Sequence, residues 1–232
     1  MMTFQAWRLD HGHVDIAVPQ SPVGRIQLFS YGARALILPE GGSATVLPVA
    51  ATSIAWPHTE VLLDAGGYAV VPGGARISGG GLVIYTPDYA GLPQAGGPCE
   101  SSGRLKYIDG CSDTLLVCPP VLGEPCLNLL HLPPGTRQTE HTHPSDRIGI
   151  ILRGSGVCRT DGHEVPLGPR MFWYIPAGLA HSFHTDGLSL DVLAWHPDSD
   201  FGPTRDHHPM VNRTIVEGVA VNDPRHEALR TQ

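Results

Sequence analysis

Glycine and proline punctuate this chain from end to end, and their spacing limits what it can fold into. With 28 glycines and 22 prolines in 232 residues, about one position in five disfavours regular helix. Between these breaks lie apolar runs of strand length, among them Tyr68–Val71, Gly81–Tyr85, Leu127–Leu132, Arg147–Leu152, Met171–Ile175 and Leu188–Trp195. Helical periodicity is nowhere sustained, and only Pro224–Leu229 reads as a weak helix. Many short strands joined by tight turns predict an all-β fold.

A segment rich in Gly, Pro and Ser, between about Pro87 and Gly103, reads as a linker. It predicts two units of similar size, residues 1–95 and 104–232. The units share turn signatures. Leu38-Pro-Glu-Gly41 is echoed by Leu132-Pro-Pro-Gly135, and Gly66…Pro72-x-Gly74-x2-Ile77 by Gly168…Pro176-x-Gly178-x2-His181. On that alignment Leu47, Val49 and Ile77 stand where the second unit has His141, His143 and His181. One copy is polar at all three places and the other apolar, which predicts one active site and one structural partner.

Composition removes other classes. The formal net charge is −7, and the 15 Lys and Arg residues never cluster, so neither nucleic acid nor an anionic membrane is an expected partner. No stretch approaches the ~18 apolar residues of a membrane span, and no secretion signal is visible at Met1–Asp15. The five cysteines are odd in number and lack CxxC spacing, which favours a reducing, cytoplasmic setting. Dinucleotide, P-loop, serine-hydrolase and zincin motifs are all missing.

Thirteen histidines direct attention to metal chemistry. In extended chain, His141 and His143 share a face and can chelate one cation. The stretch Gly135-x5-His141-x-His143-x3-Arg147-x6-Gly154, followed by Gly168-x7-Pro176-x-Gly178-x2-His181, resembles the paired motifs of the cupin superfamily. The resemblance implies a double cupin of two jelly-roll β-barrels, the first degenerate and the second holding a metal through His141, His143 and His181. Arg147 stands where that family usually has a glutamate ligand. Asp146 and Glu140 have the wrong strand parity to replace it, so a three-histidine site with open positions is expected.

The expected ion is a single divalent metal, with Fe(II) favoured and Zn, Ni, Mn or Cu also suited to imidazole. Arg147 is expected to grip a substrate carboxylate or phosphate, with a salt bridge to Asp146, Glu164 or another acid at the barrel rim as its structural alternative. Tyr174 is a second candidate for touching the ligand, while Phe183 and His184 read as packing and surface groups. The functional expectation is a non-haem dioxygenase acting on a small anionic substrate. Alternatives are a non-redox isomerase, cyclase, lyase or hydrolase, and a metabolite sensor without turnover. Assembly as a homodimer through sheet edges is the expected oligomeric state.

Overall fold

The computed structural model describes residues 3–10, 12–16, 23–32 and 34–230. Two large antiparallel sheets organise it. One runs in the order Gln94–Gly96, Tyr68–Pro72, Ser43–Pro48, Gly81–Thr86, Ile26–Tyr31 and His13–Ile16. The other runs Gln5–Arg8, Met171–Ile175, Arg147–Gly154, Leu190–His196, Cys126–Leu132, Ser112–Val117 and Leu105–Lys106. A smaller sheet closes each into a barrel. Leu36–Ile37, Arg76–Ser78, Thr52–Trp56 and Thr59–Leu63 cover the first; His163–Leu167, Gly156–Thr160 and Ser182–His184 cover the second. The all-β, two-barrel expectation holds.

Strand alternation sorts the apolar residues into three cores. Val46, Val71, Val83 and Tyr85 point into the first barrel. Ile151, Trp173, Leu190 and Val192 point into the second. The opposite faces of the same strands supply Leu47, Leu82 and Ile84 from one half and Ile148, Phe172, Leu193 and Trp195 from the other. These pack against each other as a third core. Central strands such as Gly81–Thr86 are therefore buried at every position, which is why they read as unbroken apolar runs.

The division at residues 1–95 needs correcting at its start. Gln5–Arg8 pairs with Met171–Ile175, so the first strand of the chain is an edge strand of the second barrel. Trp7 stacks on Phe172 with ring centroids 5.2 Å apart, which helps to seat it. The linker also tightens: Gln94–Gly96 belongs to the first sheet and Leu105–Lys106 to the second, leaving 97–104 as the crossing.

The internal repeat has a different register from the one the turn signatures suggest. His141 pairs with His181, and the equivalent pair in the first barrel is Leu36 with Ile77. Leu36 and Leu38, not Leu47 and Val49, thus stand in the places of His141 and His143, and Leu36, Leu38 and Ile77 pack together in the first core. Leu47 faces the core between the halves. The error arose because loops of unequal length separate the shared motifs. Near the C-terminus a short helix Pro209–Arg213, a hairpin and a turn at Pro224–His226 leading into Glu227–Arg230 follow the last barrel strand.

Candidate metal centre

The segment before Arg147 is extended but is not a regular strand. It touches the small sheet through two isolated bridges, Arg137 with His184 and His141 with His181. At the second, His141 N–H donates to the His181 carbonyl at 3.0 Å, and the reverse bond is 2.9 Å. A directly opposed pair presents both side chains on one face, so the two rings meet with centroids 4.6 Å apart. His143, two residues on, shares the face and lies 5.0 Å and 5.2 Å from them. One potential ligand atom from each ring falls within 4.8 Å of the others.

Second contacts orient these rings. His141 Nδ1–H donates to the Thr139 carbonyl at 2.8 Å, and His181 Nδ1–H to the Leu179 carbonyl at 2.9 Å. Each bond fixes the tautomer and leaves the Nε2 lone pair free for a cation. Burial, aided by the positive charge of Arg147, pushes His143 down to about 3. Burial takes His181 down to about 4. Both are neutral near pH 7, the form that ligates. The donor set suits one divalent ion, and the nitrogens are near enough for small ring rotations to close on it.

The turn carrying His181 is tied to the segment carrying His143. Gly178 N–H donates to the His143 carbonyl at 2.8 Å, and Ala177 N–H to Asp146 Oδ1 at 2.7 Å. Asp146 is buried in that capping role and also accepts from the Tyr174 hydroxyl, so it is no metal ligand. Glu140 is exposed. Tyr174 itself lies with Phe172 in the core between the halves, on the face of its strand opposite the pocket. The neighbours Trp173 and Ile175 line the pocket instead. The parity of one strand decided that.

The three imidazoles open onto a cavity of about 260 Å³. Its apolar wall is Leu130, Trp173, Ile175, Phe183 and Ala194, and its polar wall Tyr107, Asp113, Asn128, Gln138, Arg147 and His196. Trp173 can lie flat there because Gly149 is opposite it; a Cβ at 149 would stand 2.2 Å from the indole. Arg147 bonds through Nη1 to the Ser145 carbonyl and hydroxyl and to the Asp146 carbonyl, at 3.1, 2.6 and 3.0 Å. The alternative, a salt bridge, does not form. Glu164 pairs with Arg159, and among the described residues no carboxylate is within ion-pair distance of Arg147.

His196 is the residue that sequence reasoning missed. It ends the strand Leu190–His196 on the face of Ala194, so strand alternation alone would have placed it inward. Its Nδ1–H donates to the Asp198 carbonyl at 2.5 Å, while Nε2 lies 2.7 Å from Cys126 Sγ and 3.3 Å from Asn128 Oδ1. Burial and then Arg147 push His196 down to about 4. Burial pushes Cys126 up to about 12. The pair is thus a neutral imidazole accepting from a thiol. His184 bonds Ser182 Oγ, and His207 bonds Asn212; neither lines the cavity. All five cysteines are free thiols.

Residues 128–196 match the family model described as a cupin domain. The second barrel is a cupin. Solved structures resemble most of the two-barrel chain as well. A cupin 2 conserved barrel domain protein from Leptotrichia buccalis is 14% identical, with 84% of this chain and 96% of that one covered at a TM-score of 0.58. Salicylate 1,2-dioxygenase from Pseudoaminobacter salicylatoxidans, determined with gentisate, is 10% identical over 84% and 81%, with a TM-score of 0.59. The protein Ylba from E. coli is 16% identical over 85% and 91%, at 0.56. At such identities the likeness shows the cupin fold alone. No curated protein matches by sequence. Among the described residues no helix is long and apolar enough to cross a membrane.

Proposed function

We propose that this cupin is a metal-dependent enzyme, and that with Fe(II) held by His141, His143 and His181 it oxygenates a small anionic substrate. The observation that carries the reading is the pairing, in one cavity, of a three-imidazole cluster with an arginine that, among the described residues, has no carboxylate within ion-pair distance. A bound ferrous ion would supply redox chemistry with dioxygen at the coordination positions the histidines leave open. The chain's own residues do the rest. Arg147 offers Nε and Nη2 to a carboxylate or phosphate, and the charge of that anion offsets the repulsion between guanidinium and dication. Trp173, Ile175 and Phe183 exclude water from one side. The fold shared with a dioxygenase acting on aromatic carboxylates supports the reading without naming this substrate.

Two measurements test it. Oxygen uptake is compared for iron-loaded and zinc-loaded protein, with salicylate and gentisate as probe anions. Uptake only with iron is the expected result; turnover with zinc and no uptake would replace oxygenation by Lewis-acid chemistry. In parallel, Arg147→Met is expected to keep its metal and weaken binding of the anion by roughly 10- to 100-fold, the worth of a charged hydrogen bond. Loss of metal instead would sink the clamp.

A further inference from the structure

Arg147 is not the only charge in the cavity without an opposite partner. Asp113, on the strand Ser112–Val117, stands opposite Leu130 and shares its inward face. One hydrogen bond reaches its carboxylate, from Asn128 Nδ2 to Oδ1 at 2.7 Å. Among the described residues no cation is within ion-pair distance of it, and Arg147 does not pair with it either. Two strands separate theirs in the same sheet, Leu190–His196 and Cys126–Leu132, so the two charges stand apart across the cavity floor that this sheet provides.

We infer that the pocket takes a zwitterionic ligand, a small amine-bearing carboxylic acid, with its carboxylate on Arg147 and its ammonium on Asp113. This rests on the anion clamp proposed above and narrows the substrate class. A desolvated, unpaired charge is costly, and a simple anion would relieve Arg147 only to face the Asp113 carboxylate. A ligand bearing both signs relieves both. Burial pushes Asp113 upward, with only the Asn128 amide opposing it, so an ammonium beside it would favour its ionised form. Leu130, Ile175 and Ala194 supply an apolar surface for the carbon skeleton between the two ends. The cavity, about 260 Å³, is near the small end of ligand pockets, which fits a ligand of few atoms.

The test uses the zinc-loaded full chain, so that binding is read without turnover, by calorimetry and by the fluorescence of Trp173. Leucine, 4-aminobutyrate and 6-aminohexanoate sample three charge spacings. Each is compared with the same acid lacking nitrogen and with the corresponding hydroxy acid. At least one amino acid is expected to bind about tenfold or more tightly than both of its counterparts. Asp113→Asn should erase that preference, with the plain acids binding the variant at least as tightly as the parent protein, because the carboxylate they faced is gone. If no amino acid is preferred, or if Asp113→Asn keeps the preference, the inference falls. The clamp itself is read separately with Arg147→Gln. If the plain acids bind that variant as they bind the parent protein, the clamp fails and the inference with it. If they weaken and no amino acid is preferred, only the zwitterion is lost.

Discussion

Replacing His196 with glutamine gives a pH-dependent test of how deeply this ring is enclosed. In the folded protein, burial and the nearby Arg147 hold its pKa at about 4, against 6.5 for a solvent-exposed imidazole. Between those values the unfolded chain binds a proton that the folded chain refuses. Stability from this group is therefore intact above pH 6.5, declines as pH falls toward 4, and levels off below. At 1.36 kcal/mol per unit, a shift of about 2.5 units is worth roughly 3 kcal/mol. Glutamine does not titrate, so His196→Gln lacks this term while the other histidines cancel in the comparison. In metal-free protein, urea unfolding at pH 7.5 should show the variant less stable, because the bonds to Asp198 and Cys126 are altered. The gap should shrink by roughly 2–3 kcal/mol by pH 4.5. A gap that stays constant, or widens, over that range would refute the claim that His196 is neutral and enclosed.

Three other outcomes follow from particular contacts. His143→Ala should lower metal affinity by roughly 100-fold or more, whereas His184→Ala, whose ring faces Ser182, should leave metal content unchanged by elemental analysis. Gly149→Ala forces a methyl to within 2.2 Å of the Trp173 ring; a loss of about 1–3 kcal/mol is expected, with a change in Trp fluorescence as the pocket wall moves. Asp191, buried between His131 Nδ1 at 2.5 Å and Arg153 Nε at 2.7 Å, braces the inter-barrel face near the linker, where Arg153 also reaches the Glu100 carbonyl. Asp191→Asn should cost about 1–3 kcal/mol in denaturant unfolding without altering metal content.

The sequence alone determined the architecture and the three candidate ligands. Glycine and proline at close intervals allow only short strands, and apolar runs of strand length supply the sheets. HxH in extended chain offered two ligands, and the resemblance of that stretch and the later Pro-x-Gly-x2-His to the paired cupin motifs implied the set His141, His143 and His181, whose rings the structure brings together. Those signals are legible because each depends on backbone conformation within a few residues. The burial of Tyr174 between the barrels, the true register of the repeat and the inward turn of Asp113 depended on distant strands. A one-residue change of strand parity moves a side chain from pocket to core, and a strand buried on both faces carries no alternation to read. So did the seating of Gln5–Arg8 in the far barrel, since an edge finds its partner only once both sheets exist. Short motifs pointed to the candidate metal site; long-range packing decided what else shares its cavity.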